Sequence, residues 1–394
     1  MTLSTRSEPY IIPSYSLTGD LLSYLQCGRQ YRYQNRGALP PSKPVQLWFG
    51  QFIHGVLEEA YRRWRTQHDD WIEGNGMGSL LNFPWSSLDI EDIQNSVIKR
   101  LAAQGIIYRN RAMLDLARKR ADESINTIGL HLFPLIDQAE VRLQGNRKMP
   151  LSPGTARSDY YEISGVVDVL TSFQLVSANA SNRILQALMA DSGVKSTLTA
   201  ARAQSKKQFE IIVDYKGMRL PSRNPNNNTL EHYEWQIQTY AWLRNKQANS
   251  HPVLAGILLF INELVPSFGD LEDLYKEVIV HKGANTTLLP TGLDLQALQN
   301  WNPNKRGSKP PTLSLEYRLA RTIHIVPINQ TTVGNSVQQF DGVVAEIETS
   351  IRKESKGSNI SNSWRSVHNS RSCTVCDFKS FCDTSGEQGT PYAP

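Results

Sequence analysis

The sequence predicts an α/β fold, on three observations. Residues 161–173 alternate and are β-branched, the period-2 signature of a strand, and 209–216 is a second strand candidate. Apolar residues recur at helical spacing through long stretches before and after them. The four cysteines stand at the two extremes of the chain, Cys27 alone and Cys373, Cys376 and Cys382 together as C-x2-C-x5-C. If all four bind one centre, they tie both ends of the chain into a single domain.

Composition permits a sizeable core, since 40% of the 394 residues are hydrophobic and 20% charged. That length accommodates two or three domains, or one elaborated α/β domain. No apolar run approaches the ~20 residues that a membrane span needs. The longest, 253–261, suits a buried strand. The net charge of +5 permits a polyanionic partner without requiring one.

The elements follow in order. Residues 16–26 read as a short helix, with Ser16 as N-cap and Leu17, Leu21, Leu22 and Leu25 at helical spacing. Pro40, Pro41 and Pro44 break the chain before a helix over 46–65. A loop over 74–87 leads into helical patterns over 90–108 and 113–139. The character changes after Pro150 to strands at 161–173 and 209–216, with 175–208 as a helical insertion between them. The Pro- and Asn-rich stretch 217–229 is a loop, 230–247 a helix and 253–264 a strand. Residues 285–311 read as irregular, 322–326 as a strand, 333–353 as a helix and 355–363 as a polar linker before the cysteine tail.

Three thiols within ten residues point to ligation of a soft metal centre. Four thiolates suit zinc or an iron–sulfur cluster, and one isolated ligand with three grouped fits zinc's usual paired knuckles less well. A buried Cys27 unrelated to the tail is the plain alternative. The chain opens without a charged-then-apolar signal segment, so a reducing, cytoplasmic setting is expected rather than a disulfide framework.

The strands carry a second constellation. Asp214 and Lys216 stand two apart and so share one face, with Val213 on the other. Asp168 lies among Val166, Val167, Val169 and Leu170, where a carboxylate is costly unless paired or metal-bound. One inward acid on each of two strands could share a divalent ion, with Lys216 beside them to neutralise phosphate charge. On the next helix Gln236 and Tyr240 fall on one face at i and i+4, just after Tyr233 and Glu234. His54 lies in a helical run between Gly50 and Gly55, two glycines that hint at a close approach. For the D-x-K pair taken alone, a surface ion pair is the plain reading, and for His54 a packing role. Basic residues interleave with aromatics in Arg29–Tyr31–Arg32–Tyr33–Arg36 and around Tyr61 and Trp64 with Arg62, Arg63 and Arg65. A further basic group is Arg109, Arg111, Arg118, Lys119 and Arg120. Such mixtures suit single-stranded nucleic acid, although a solvated helix face explains any one of them.

Taken in order, Cys27, Gly50-x3-His54, Asp168, Asp214-x-Lys216, Gln236-x3-Tyr240 and C-x2-C-x5-C resemble the RecB-like branch of the PD-(D/E)XK nuclease superfamily in its iron–sulfur form. That branch includes AddB-type recombination nucleases and the small nucleases of CRISPR spacer acquisition. The resemblance spans Cys27 to Cys382. It implies a restriction-endonuclease-like core, a small mixed sheet flanked by helices, in one domain over 1–394. Within it, 14–140 would be a helical part carrying the first cluster cysteine. Residues 155–265 would be the catalytic core, interrupted by 175–208, and 364–384 the cluster-binding tail.

It implies a [4Fe–4S] cluster on Cys27, Cys373, Cys376 and Cys382. Mg2+ or Mn2+ would sit on His54, Asp168 and Asp214, with Lys216 catalytic and Gln236 and Tyr240 shaping the site. Glu140 corresponds to an acid that precedes the first core strand. The expected activity is metal-dependent cleavage of DNA, single-stranded or frayed, in repair, recombination or CRISPR-type processing. The chain departs from the pattern in having Gly28 rather than Pro after the first cysteine, and Gly217 after the lysine. A non-cleaving DNA-binding module and a structural zinc protein are the competing readings. No G-x4-G-K-[ST] run occurs, so a helicase motor would come from a partner.

Overall fold

The computed structural model describes residues 12–36, 45–174, 181–203, 208–223, 228–367, 373 and 376–382. Six strands form one mixed sheet. They are β1 (Ser14–Ser16), β2 (Ile136–Lys148), β3 (Tyr160–Gln174), β4 (Gln208–Lys216), β5 (Val253–Phe260) and β6 (Ile323–Pro327). The helices that flank them are α1 (Val45–Ile72), α2 (Ser87–Ala103), α3 (Arg111–Ser124), α4 (Arg183–Ala190), α5 (Ser192–Ala203) and α6 (Thr229–Arg244). After these come α7 (Phe268–Tyr275), α8 (Gly292–Gln299), α9 (Leu315–Thr322) and α10 (Gln330–Ser355).

The sheet separates two apolar layers. On one face α1 to α5 pack against Val169, Ile211, Val213 and Ile257. On the other, α6, α10 and the N-terminal turns pack against Ile163, Ile212, Leu258 and Phe260. β5 is buried along its whole length, as expected of a central strand that is covered on both faces. β4 and β5 are parallel, joined by the crossover through α6, while β2, β4 and β6 run antiparallel to their neighbours β3, β3 and β5.

β3 is the strand that shapes the site. β2 pairs with it along one edge from Tyr160 to Thr171. The other edge is shared: β1 takes Glu162 to Ser164, and β4 takes Val169 to Gln174. Residues 165–168 are left between those two partners. Opposite them, Glu140 of β2 drops out of the ladder with a φ of 53°, a left-handed conformation that non-glycine residues seldom adopt. The facing of β3 also changes there, since Val167 packs in the α6 layer and Val169 in the α1 layer.

Several expectations change. The stretch 113–139 is not one helix: Pro134 falls in a short turn that ends it, and β2 begins at Ile136. The supposed helical part over 14–140 therefore contributes two strands, β1 and the start of β2, to the sheet. Ser16 ends β1 and caps no helix with its side chain; instead the Asp20 carboxylate accepts from the Ser16 N–H at 2.8 Å. α1 runs seven residues beyond the expected 65, and α8 lies inside the stretch read as irregular. Pro40, Pro41, Pro44 and the outer ends of the insertion lie outside the described residues. No described helix is long and apolar enough to cross a membrane.

Candidate active site and cysteine cavity

Asp168 stands one residue beyond the last β3–β4 pair, Val169 with Val213, so it lies level with Asp214. Where β3 leaves the ladder, its side chain replaces its backbone: Asp168 Oδ2 accepts the Tyr215 N–H at 2.7 Å. His54 reaches the same point from α1. Its Nε2 lies 2.8 Å from the Tyr215 carbonyl, which can only accept, so Nε2 carries the proton. Its Nδ1 faces Asp168 Oδ2 at 3.4 Å. Burial opposes a charge on His54, but the Asp168 carboxylate, helped by Asp214, lifts its pKa to about 9.

Asp214 is 3% exposed. Gln236 Nε2 donates to its Oδ1 at 3.3 Å and to the Tyr240 hydroxyl at 3.1 Å. The Lys216 ammonium lies 2.5 Å from Asp214 Oδ2, a charge contact without hydrogen-bond alignment, and Oδ2 accepts no other hydrogen bond. Burial pushes the Asp214 carboxyl up; Lys216 opposes this and Asp168 adds to it. Lys216 also donates to Gln236 Oε1 at 2.9 Å and sits 4.2 Å from the Tyr233 ring centroid. Burial works against its charge, yet Asp214 holds its pKa above the ordinary lysine value. Gln236 thus bridges acid, lysine and tyrosine, which only a side chain with both donor and acceptor can do.

Gly165 lets this layer close. A Cβ there would stand 2.6 Å from the Tyr240 ring. Gly55 has the close approach that its sequence position implies, since a Cβ would meet Arg100 at 2.7 Å, whereas Gly50 faces open space. The side chains line a cavity of about 920 Å3 with Arg142, Ser164 and Val166 on its walls. The structure therefore brings together His54, Asp168, Asp214, Lys216, Gln236 and Tyr240. Glu140 lies on the far side of Asp168 with Glu58, which the sequence reading missed although it follows His54 by one helical turn.

Two carboxylates and an imidazole are a donor set for a hard or borderline divalent ion, and Asp214 Oδ2, whose close partner is the Lys216 ammonium, could turn to one. As they stand, no three His, Cys, Asp or Glu side chains among the described residues are grouped closely enough to hold a metal.

The four cysteines, far apart in sequence, line one cavity together with Tyr33, Val367 and Phe378. Burial pushes the Cys376 thiol up, and Cys27, Cys373 and Cys382 push the same way. The two ends of the chain meet by backbone: the Arg29 N–H donates to the Arg365 carbonyl at 3.0 Å. A Cβ at Gly28 would stand 2.9 Å from that carbonyl, which accounts for glycine at this position.

Several members of the basic–aromatic groups serve the fold or form ion pairs, while Arg109 and Lys119 are exposed. Tyr31 is buried and packs against Tyr24 and Trp364. Arg29 is buried and donates to Trp364 O and Ser361 O, while Arg32 pairs with Glu354 at 2.5 Å. Tyr61 and Trp64 are core residues. Arg62 and Arg63 pair with Glu59, and Arg65 with Asp69. In the third group, Arg111 pairs with Asp115, Arg118 with Glu91 and Arg120 with Asp270.

No family model matches the chain, and no curated protein matches it. Among solved structures, the chain aligns over 96% of its length with 90% of the chain in the crystal structure of SSO0001, at 10% identity. The TM-score is 0.28, too loose a superposition to carry an argument.

Proposed function

We propose that this chain is a divalent-metal-dependent deoxyribonuclease of the RecB-like PD-(D/E)XK type, with an iron–sulfur cluster joining its ends. The observation that carries this reading is the convergence of Asp168, Asp214, Lys216 and His54 in one cavity, with the two acids level with each other on neighbouring strands. Asp168, Asp214 and the Nδ1 of His54, which would give up its proton to the ion, would hold Mg2+ or Mn2+, while His54 Nε2–H stays on the Tyr215 carbonyl and fixes the ring. When bound, such an ion lowers the pKa of a water and polarises the phosphate. Lys216, positioned by Gln236, places a positive charge where the pentavalent phosphate would gain negative charge. Tyr240 remains protonated, because burial raises its hydroxyl far above the ordinary range. It can therefore donate to the substrate while it accepts from Gln236.

Cys27, Cys373, Cys376 and Cys382 fit a [4Fe–4S] cluster by number, by ligand type and by their shared cavity. The same four thiolates could bind zinc. Purification without oxygen, followed by iron and zinc analysis and a cleavage assay on end-labelled single- and double-stranded DNA, tests both parts. A brown protein with about four iron per chain that cuts DNA only with Mg2+ or Mn2+ supports the reading. A colourless protein with one zinc and no cleavage sinks it.

A further inference from the structure

The candidate site opens on two sides. A second cavity of about 780 Å3 lies between α1, α2 and β2. It shares Gly50, His54, Val166 and Asp168 with the first, so these four residues form the wall between two spaces rather than the floor of one. The opening has a backbone cause: β3 has no partner at 165–168 on the β1/β4 edge, and Gly50 of α1 faces open space.

Each cavity carries one arginine of a kind scarce in this protein. Arg142 lines the first and Arg100 the second, both are exposed, and neither has a carboxylate partner among the described residues. By contrast, most of the arginines that the sequence offers for DNA binding are spent on ion pairs. Between the two, Val166 exposes apolar surface, 39% of its area, on the shared wall. Glu58 and Glu140 also line the second cavity, so a phosphate there would run along its Arg100 side.

We infer that a single strand of nucleic acid passes from one cavity to the other across the Asp168 wall. Arg142 and Arg100 hold phosphates on opposite sides of the scissile one. Val166 offers apolar contact to an unpaired base at the crossing. This rests on the nuclease reading and adds its substrate track. Both cavities fall within the ~300–1,000 Å3 of small-ligand pockets, room for a few unpaired nucleotides each.

The test is binding of fluorescein-labelled oligothymidine to the full chain, purified without oxygen, in buffer free of divalent ions and over a range of salt. Arg100→Gln and Arg142→Gln should each weaken binding several-fold and flatten the log–log salt dependence by about 0.7, the amount for one phosphate contact on a single strand. Lys99→Gln, beside Arg100 but lining neither cavity, should leave both unchanged. Glu58→Gln should tighten binding, because it removes a like charge from the track. Matched melting temperatures would show that the variants are folded. If Arg100→Gln binds like the parent while Arg142→Gln is weakened, the strand does not cross and the passage is overturned. The parent is also assayed for Mg2+- or Mn2+-dependent cleavage. A parent that binds but never cuts overturns the nuclease reading, whichever way the arginine variants behave.

Discussion

Two regions of this molecule bury charge, and they treat it in opposite ways. Around α10 and the N-terminal turns, the acids have well-aligned donors. Glu348 receives Arg157 and the Tyr15 hydroxyl, Glu354 receives Arg32 and the Trp364 indole, and Asp341 receives Arg147 and the Tyr161 hydroxyl. At the β3–β4 junction, two acids stand level with each other, and the one lysine in contact with Asp214 is poorly aligned to it. Charge that is matched locks elements together. Like charges buried side by side cost stability and survive where they do chemistry. The contrast separates architecture from site without reference to any relative.

Breaking each region should therefore be told apart by cleavage per folded molecule. The largest effect is expected from Lys216→Ala. It should lower the cleavage rate about 100-fold or more, the usual cost of losing a preorganised charge at a reacting phosphate. Iron content should stay near the parent's, while the melting temperature should fall, because Asp214 is left buried without the ammonium beside it. Single-turnover cleavage at saturating Mn2+ checks this, and a loss of less than a few-fold would count against it.

Next comes Cys27→Ala. It should lose the iron, bleach the protein and lower the unfolding midpoint, because the bond between chain ends goes with the cluster. Visible absorbance and urea unfolding on the same sample read both. Retained colour with full iron would mean that Cys27 is not a ligand.

A matched pair outside both regions, between α9 and the turn after β5, should cost stability alone. Arg321 and Glu263 form a pair in which both side chains are almost wholly buried, and Arg321→Leu leaves the Glu263 charge behind. The expected cost is about 3–5 kcal/mol of stability, with cleavage per folded molecule unchanged. Urea unfolding and an activity assay on the folded fraction separate the two.

The smallest effect is one of pH. Burial raises the Glu348 carboxyl, but the Arg157 and Tyr15 hydrogen bonds outweigh it and hold the pKa below the ordinary 4.5. A depressed carboxylate stabilises the fold above its unfolded pKa, and that contribution fades as pH falls through the folded one. The stability gap between the parent and Glu348→Gln should be full at pH 6 and shrink below about pH 4.5. A gap that stays constant to pH 3 would show that the carboxylate charge contributes nothing.

What the sequence discloses follows the range of the interactions. Asp214 and Lys216 are two apart on a strand, and Gln236 and Tyr240 one turn apart on a helix, so local geometry already puts each pair on one face. The three core strands are largely apolar runs, α6 is buried over most of its surface and α10 carries one apolar face, and they form close to where the sequence puts them. β2 is short of such a signal. Its alternation through Val141, Leu143 and Gly145 follows a helical pattern, and only Pro134 marks the change. The basic–aromatic groups mislead because composition does not show partners. Arg62 and Arg63 meet Glu59 one turn back on the same helix, and Tyr61 and Trp64 face the core. The role of the wall at Asp168 is invisible in sequence, since it depends on where β1 and β4 each stop along one edge of β3.

The most direct test of the central claim is Mn2+ binding by Asp214→Asn beside the parent, followed by electron paramagnetic resonance at matched iron content. Asparagine keeps the hydrogen-bonding shape toward Gln236 and removes the negative charge beside Asp168. The account predicts that the folded variant loses Mn2+ affinity at least tenfold and ceases to cut end-labelled DNA. A variant that binds Mn2+ and cuts as the parent does would place the chemistry elsewhere in the molecule.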